Sequence, residues 1–193
     1  MKSLMQQALG RDWERLPDSL KAHYQPGPNA DIGQLDIEFP RYMAPYLRLL
    51  HLFGALLTRC GSQVPTRVEK EVVADRQYWC RTISFPDGET ATFNSFWISS
   101  GGNQLIEFVN PVMGLEMAAR LQGDELRYDG VRYVLKFGRL IIGLPEWLIL
   151  GHTTIVERGL PSGAFAMDFR LTHPLFGEIF RYSGTFRTQR LSP

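Results

Sequence analysis

The chain has 193 residues, 44% of them hydrophobic and 12% aromatic, enough for a packed core, which excludes disorder as a description of the whole. Lys and Arg number 21 against 20 Asp and Glu, so there is no bulk charge to draw the chain to nucleic acid or an anionic surface. The length fits a single domain over 1–193, with a helical N-terminal part over 1–62 and an antiparallel meander over 63–193.

The N-terminus turns polar too early for a signal peptide. Of the two apolar stretches, Tyr42 to Leu57 is broken by Pro45, Arg48 and His51. The other, Leu140 to Leu150, is about half a span long. Cys60 and Cys80 read as reduced thiols, so the expected location is the cytoplasm, with no transmembrane segment.

Ser3 and Gln6 form a capping-box pattern that predicts a short helix ending near Gly10, and Pro17 opens a second one running to Tyr24. Alternation at Leu35, Ile37 and Phe39 predicts a short strand over Gln34–Phe39. A longer amphipathic helix is expected from Pro45 to Cys60, capped by Gly61 and lying over the concave side or mouth of a sheet. From Pro65 onward, runs of six to ten residues rich in β-branched and aromatic side chains follow one another with turn residues between them. Asp129-Gly130 is the strongest hairpin signal among these turns. The connections are too short for crossover helices, so pairing is antiparallel. The fold class is α+β: a strongly bent antiparallel sheet or half-barrel of about ten strands with N-terminal helices.

Such an interior suits an apolar guest. Trp79 and Arg81 share one face of a strand. An inward Arg81 needs a carboxylate or a ligand, because an unpaired buried guanidinium is very costly, and Glu157 is the expected partner. Without a ligand this is a structural ion pair; with one, Arg81 holds an acidic head group while Trp79 packs on the apolar part. His152 and Glu157 are the candidate acid/base residues, imidazole titrating near neutrality without help. The four histidines lack ligand-type spacing, no glycine-rich loop opens a helix, and no nucleophile motif occurs, so no metal or cofactor is expected. Leu144-Pro145-Glu146-Trp147-Leu148 carries more apolar surface than a linker needs. It reads as a lid on the open end, or as an aromatic surface that touches a partner or a membrane.

Several blocks resemble the bacterial family catalogued as domain of unknown function 4166. They are Leu9-Gly10, Leu16-Pro17, His23, Trp79-x-Arg81, Ile142-Gly143-Leu144-Pro145 with Trp147-Leu148, Glu157, His173-Pro174-Leu175-Phe176-Gly177 and Arg181-Tyr182-Ser183-Gly184. The resemblance adds Arg181 and Tyr182 to the ligand-binding candidates Trp79, Arg81 and Glu157. Similar proteins are carried behind a saccharopine-dehydrogenase-like, nicotinamide-binding domain, which implies an accessory or substrate-holding role. Three expectations follow: a binding domain for a hydrophobic or amphipathic small molecule, an enzyme working with an acid/base His or Glu and an Arg anion clamp, or an interaction module for a separately encoded NAD(P)-dependent reductase.

Overall fold

In the computed structural model, residues 2–51 and 57–191 are described, Leu50 and His51 by their backbone alone. Three short helices, α1 (Leu4–Leu9), α2 (Asp18–Tyr24) and α3 (Ala44–His51), accompany eleven strands. These are β1 (Asn29–Glu38), β2 (Gly61–Val73), β3 (Arg76–Ser84), β4 (Thr90–Gly101), β5 (Gln104–Phe108) and β6 (Met113–Gln122). They continue as β7 (Glu125–Phe137), β8 (Leu140–Leu144), β9 (His152–Gly159), β10 (Phe165–His173) and β11 (Gly177–Arg190). Every pairing is antiparallel, in the order β6-β5-β4-β3-β2-β1-β11-β10-β9-β7-β8, and β6 also pairs with β7. That last pairing closes a ten-stranded barrel, with β8 as an extra strand on β7.

Closure leaves the barrel with no free edge and puts one phase of each strand inside. Gln77, Trp79, Arg81 and Ile83 face inward from β3, and Val64, Thr66, Val68 and Lys70 from β2. The helices cap the two ends. Ser3 and Gln6 form the full capping box on α1, and Gly10 ends it at φ 54°. Met5, Leu16, Leu20 and Tyr24 of this N-terminal segment are buried in the core, closing what we call the bottom. At the top, α3 sends Leu47 into the core, and the Tyr46 hydroxyl donates to the Ile149 carbonyl at 2.7 Å.

Two sequence expectations are corrected. The helix of Pro45 to Cys60 does not reach Cys60: α3 runs Ala44–His51, residues 57–60 have irregular backbone, and Gly61 opens β2. The part over 52–56 lies outside the described residues. Asp129-Gly130 is not a turn but part of the continuous strand β7, where the β6 register shifts between Glu116 and Met117. Glycine is needed there for room, since a Cβ on Gly130 would meet Glu146 Oε1 at 1.7 Å. The turns on either side of β7 are made by Gly123 and Gly138, both at positive φ.

The β1–β11 seam joins the N-terminal part to the last strand, and its backbones approach closely. A Cβ on Gly184 would stand 2.2 Å from the Gln34 carbonyl oxygen. Gly184→Ala is expected to cost about 2 kcal/mol, as overpacking does. For a chain of this size that lowers the melting temperature by about 6 °C; an unchanged thermal transition would show that the seam yields freely.

Candidate functional site

Among the described residues, an upper and a lower chamber lie inside the barrel. The upper one, about 100 Å³, is walled by apolar side chains such as Leu57, Phe93, Val109 and Met113. The lower one, about 50 Å³, lies among His23, Asp31, Trp79, Trp97, Tyr128 and Glu157. Arg81, Glu107 and Tyr182 line both and form the waist between them.

Arg81 is paired, but its carboxylate is Glu107 rather than Glu157. Arg81 Nη2 donates to Glu107 Oε1 at 3.0 Å and Nη1 to Ser95 Oγ at 2.8 Å, and Ser95 donates on to Glu107 at 2.6 Å. The guanidinium lies over Trp79 at 5.4 Å and Phe93 at 5.1 Å. Trp79 and Trp97 stand 5.0 Å apart, both buried, and neither indole N–H has an acceptor among the described residues. A buried donor without an acceptor costs on the order of 1–3 kcal/mol, and both indoles line the lower chamber.

Below the waist, a buried polar cluster fills the barrel. His23, near the end of α2, meets Asp31 of β1 at 2.7 Å through Nδ1. Lys70 of β2 stands 2.7 Å from the same carboxylate and donates to the His23 carbonyl at 2.7 Å. Thr188 donates to the other Asp31 oxygen at 2.7 Å. Glu157 accepts from the Tyr24 hydroxyl at 2.7 Å, and Tyr128 donates to Tyr24 in turn. The His23 Nε2 faces Glu157 Oε1 at 3.9 Å. Lys70 Nζ also stands 2.8 Å from that Nδ1, so this ring nitrogen has both the Asp31 carboxylate and the Lys70 ammonium beside it.

Burial decides the charges. It pushes Glu157 up to about 8 against the hydrogen bond from Tyr24. His23 falls to about 4, again mainly through burial, with Asp31 opposing. Lys70 is lowered to about 8 by desolvation, which outweighs Asp31. For Asp31 burial acts upward, yet His23 and Lys70 together hold the carboxyl well below its usual range. Tyr24 and Tyr128 are raised well above the usual tyrosine value, mostly by burial. At neutral pH the cluster therefore consists of one ion pair, Asp31 with Lys70, surrounded by a neutral imidazole and a protonated Glu157.

The remaining candidates scatter. Tyr182 is inside, stacked on Phe169 at 4.5 Å between ring centroids. Its neighbour Arg181 is on the outer face, held by Asp168 at 3.0 Å and Glu38 at 3.6 Å, and shares no chamber with Tyr182. His152 is also outside: its side chain is 48% exposed and bonded to Glu146 at 2.7 Å, while Glu146 accepts from the Thr153 amide at 3.1 Å. His152 thus ties the segment after β8 to β9 and does not meet the interior Glu157. His23, Asp31, Lys70, Glu107 and Trp97 went unrecognised as site residues in the sequence. The signal for Asp31 and Lys70 was their phase, each on the apolar side of an alternating strand.

Glu157 makes stability depend on pH. Its pKa is raised from 4.5 to about 8 in the folded state, so the folded protein keeps a proton the unfolded chain releases, and stability is lost as pH rises through that window. His23, lowered from 6.5 to about 4, has the opposite slope and offsets this up to pH 6.5. The melting temperature should therefore fall between about pH 6.5 and 8, and Glu157→Gln should flatten that fall. A wild-type curve level over this range would mean that Glu157 is ionised in the barrel.

Comparison with curated proteins gives no match to the chain. The profile of one family, described as Domain of unknown function (DUF4166), matches residues 16–186, a span that contains the closed barrel from α2 to Phe186 and both chambers. With most of its length matched, from Leu16 before α2 to the β11 side of the seam, the chain belongs to this family of unknown function.

Proposed function

We propose that the barrel is a binding domain for an amphipathic small molecule that carries a hydrogen-bond acceptor at one end. The observation that carries this reading is the pair of indole N–H groups, Trp79 and Trp97, that line the lower chamber with no acceptor among the described residues. An oxygen of the guest, such as that of a carboxyl or carbonyl group, completes both donors in the lower chamber, beside Arg81 and the Tyr182 hydroxyl. Its apolar part fills the upper chamber. An apolar cavity of about 150 Å³ takes a benzene ring, so the upper chamber, at about 100 Å³, encloses only a short stretch of tail. The rest of a longer tail leaves past Leu57, Phe93 and Val109 toward the top.

A catalytic reading has one observation in its favour. His23 turns Nε2 toward Glu157 at 3.9 Å across the lower chamber, two titratable groups facing one small space. In that reading His23 and Glu157 replace the expected pair of His152 and Glu157.

Titration with a fluorescent fatty-acid analogue tests the binding reading. The wild-type chain is expected to bind it saturably at one site. The double variant Trp79→Phe/Trp97→Phe, which keeps the rings and removes the N–H groups, should bind at least about tenfold more weakly, in keeping with the ~1.5–3 kcal/mol of a hydrogen bond to a charged group. A probe with the same tail and no acceptor head should bind both proteins alike. Equal affinity of both proteins for the acid probe would remove the indoles from the site.

A further inference from the structure

The register fixes which connections share an end. Strands β1, β3, β5, β7 and β10 run toward the top and β2, β4, β6, β9 and β11 run away from it. Ile32, Val73, Tyr78 and Val131 aside, every exposed large apolar side chain among the described residues belongs to this end. They come from separate segments: Tyr42 and Leu49 around α3, Val112 before β6, the β7–β8 hairpin, Trp147 and Leu148 after β8, and Leu175 and Phe176 between β10 and β11. Trp147 is 60% exposed and Leu175 81%, so these side chains are presented rather than packed. Their supports are fixed: the Tyr42 hydroxyl bonds the Phe176 carbonyl at 3.1 Å, and His173 bonds the Trp147 carbonyl at 2.9 Å while stacking on Phe176.

Three exposed arginines punctuate this rim, each next to one of its apolar residues: Arg41 beside Tyr42, Arg48 beside Leu49, and Arg139 beside Leu140. None has a carboxylate partner among the described residues, whereas Arg59 at the same end is held by Asp87 and Glu89. The acidic Glu146 there is spent on His152 and Thr153. Aromatic and aliphatic tips on several loops, interleaved with unpaired cations, match the headgroup zone of a bilayer, where the apolar tips enter the acyl boundary and the guanidinium groups meet lipid phosphate. A protein partner is better served by one continuous patch than by tips spread over five connections.

We propose that the top rim docks on the surface of an anionic lipid bilayer. The surface itself is inferred from the rim alone. Its use, passing an amphipathic guest between the bilayer and the upper chamber directly beneath, rests on the binding reading above. In that arrangement the tail emerging past Leu57 and Val109 enters lipid and stays out of water.

Sedimentation of the full chain with vesicles tests the docking. The chain is expected to bind vesicles of phosphatidylcholine mixed with phosphatidylserine, much less those of phosphatidylcholine alone, and less as salt rises. Trp147→Asp/Leu148→Asp should reduce binding at least tenfold, and Arg41→Gln/Arg48→Gln/Arg139→Gln should abolish the preference for the anionic vesicles. All these side chains are exposed, so an unchanged melting temperature confirms folding. Failure of the wild-type chain to bind either vesicle would overturn the proposal. So would a dimer in solution that the Trp147 and Leu148 substitutions split while vesicles remain unbound, since the rim would then cover a second copy. Vesicle binding by a chain that takes up no fatty-acid analogue would retain the docking surface and refute the interior reading.

Discussion

A closed ring of antiparallel strands has no edge to hide, but it has one interior, and every inward side chain must find its partner there. Period-two alternation delivers Asp31, Lys70, Arg81, Glu107 and Glu157 into that space together with the aromatic rings. Low polarity makes each unpaired charge expensive, so the polar groups have condensed into two satisfied sets: Arg81 with Glu107 at the waist, and Asp31 with Lys70 below it. Glu157 and His23 meet the same constraint by giving up charge. What remains unsatisfied stands out for that reason. Two indole N–H groups line the lower chamber with no acceptor among the described residues, and Gln77 Oε1 and Asn29 Oδ1 are buried without a donor as well.

The ends of the barrel divide the labour. The bottom is stoppered by the N-terminal segment, whose Met5, Leu16 and Leu20 are almost wholly buried, and the polar cluster sits above this plug. The top is where the apolar chamber lies and where large side chains stand in water. Polar depth, apolar middle and amphipathic rim thus follow one axis, the order in which an amphipathic molecule entering tail-last from a bilayer would need them.

Much of this was legible in the sequence because alternation is a local property. The one-sided patterns of Phe165, Met167, Phe169 and Leu171, or of Trp79 with Arg81, are set by neighbours two residues away, and the antiparallel barrel follows from many such runs with short connections. Partner choice is not local. Whether Arg81 meets Glu107 or Glu157 depends on which strands lie side by side, and β5 lies two strands from β3 whereas β9 is across the barrel. The same period two places Arg181 and Tyr182 on opposite faces, so only the second lines the interior. Asp129-Gly130 misled because glycine serves two needs, positive φ in a turn and space beneath a neighbour; Glu146, sixteen residues on, supplies the second. His23 sits on a helix end whose burial is decided by docking into the barrel, which no helical periodicity of seven residues reveals.

The central claim is that the interior is built around a guest whose acceptor the two indoles lack. Native mass spectrometry of the full chain purified from its own host tests it most directly. The account predicts an adduct of one amphipathic molecule per chain, released on denaturation and diminished in Trp79→Phe/Trp97→Phe. A bare chain mass from that host, together with an unchanged spectrum after incubation with fatty acids, would contradict it.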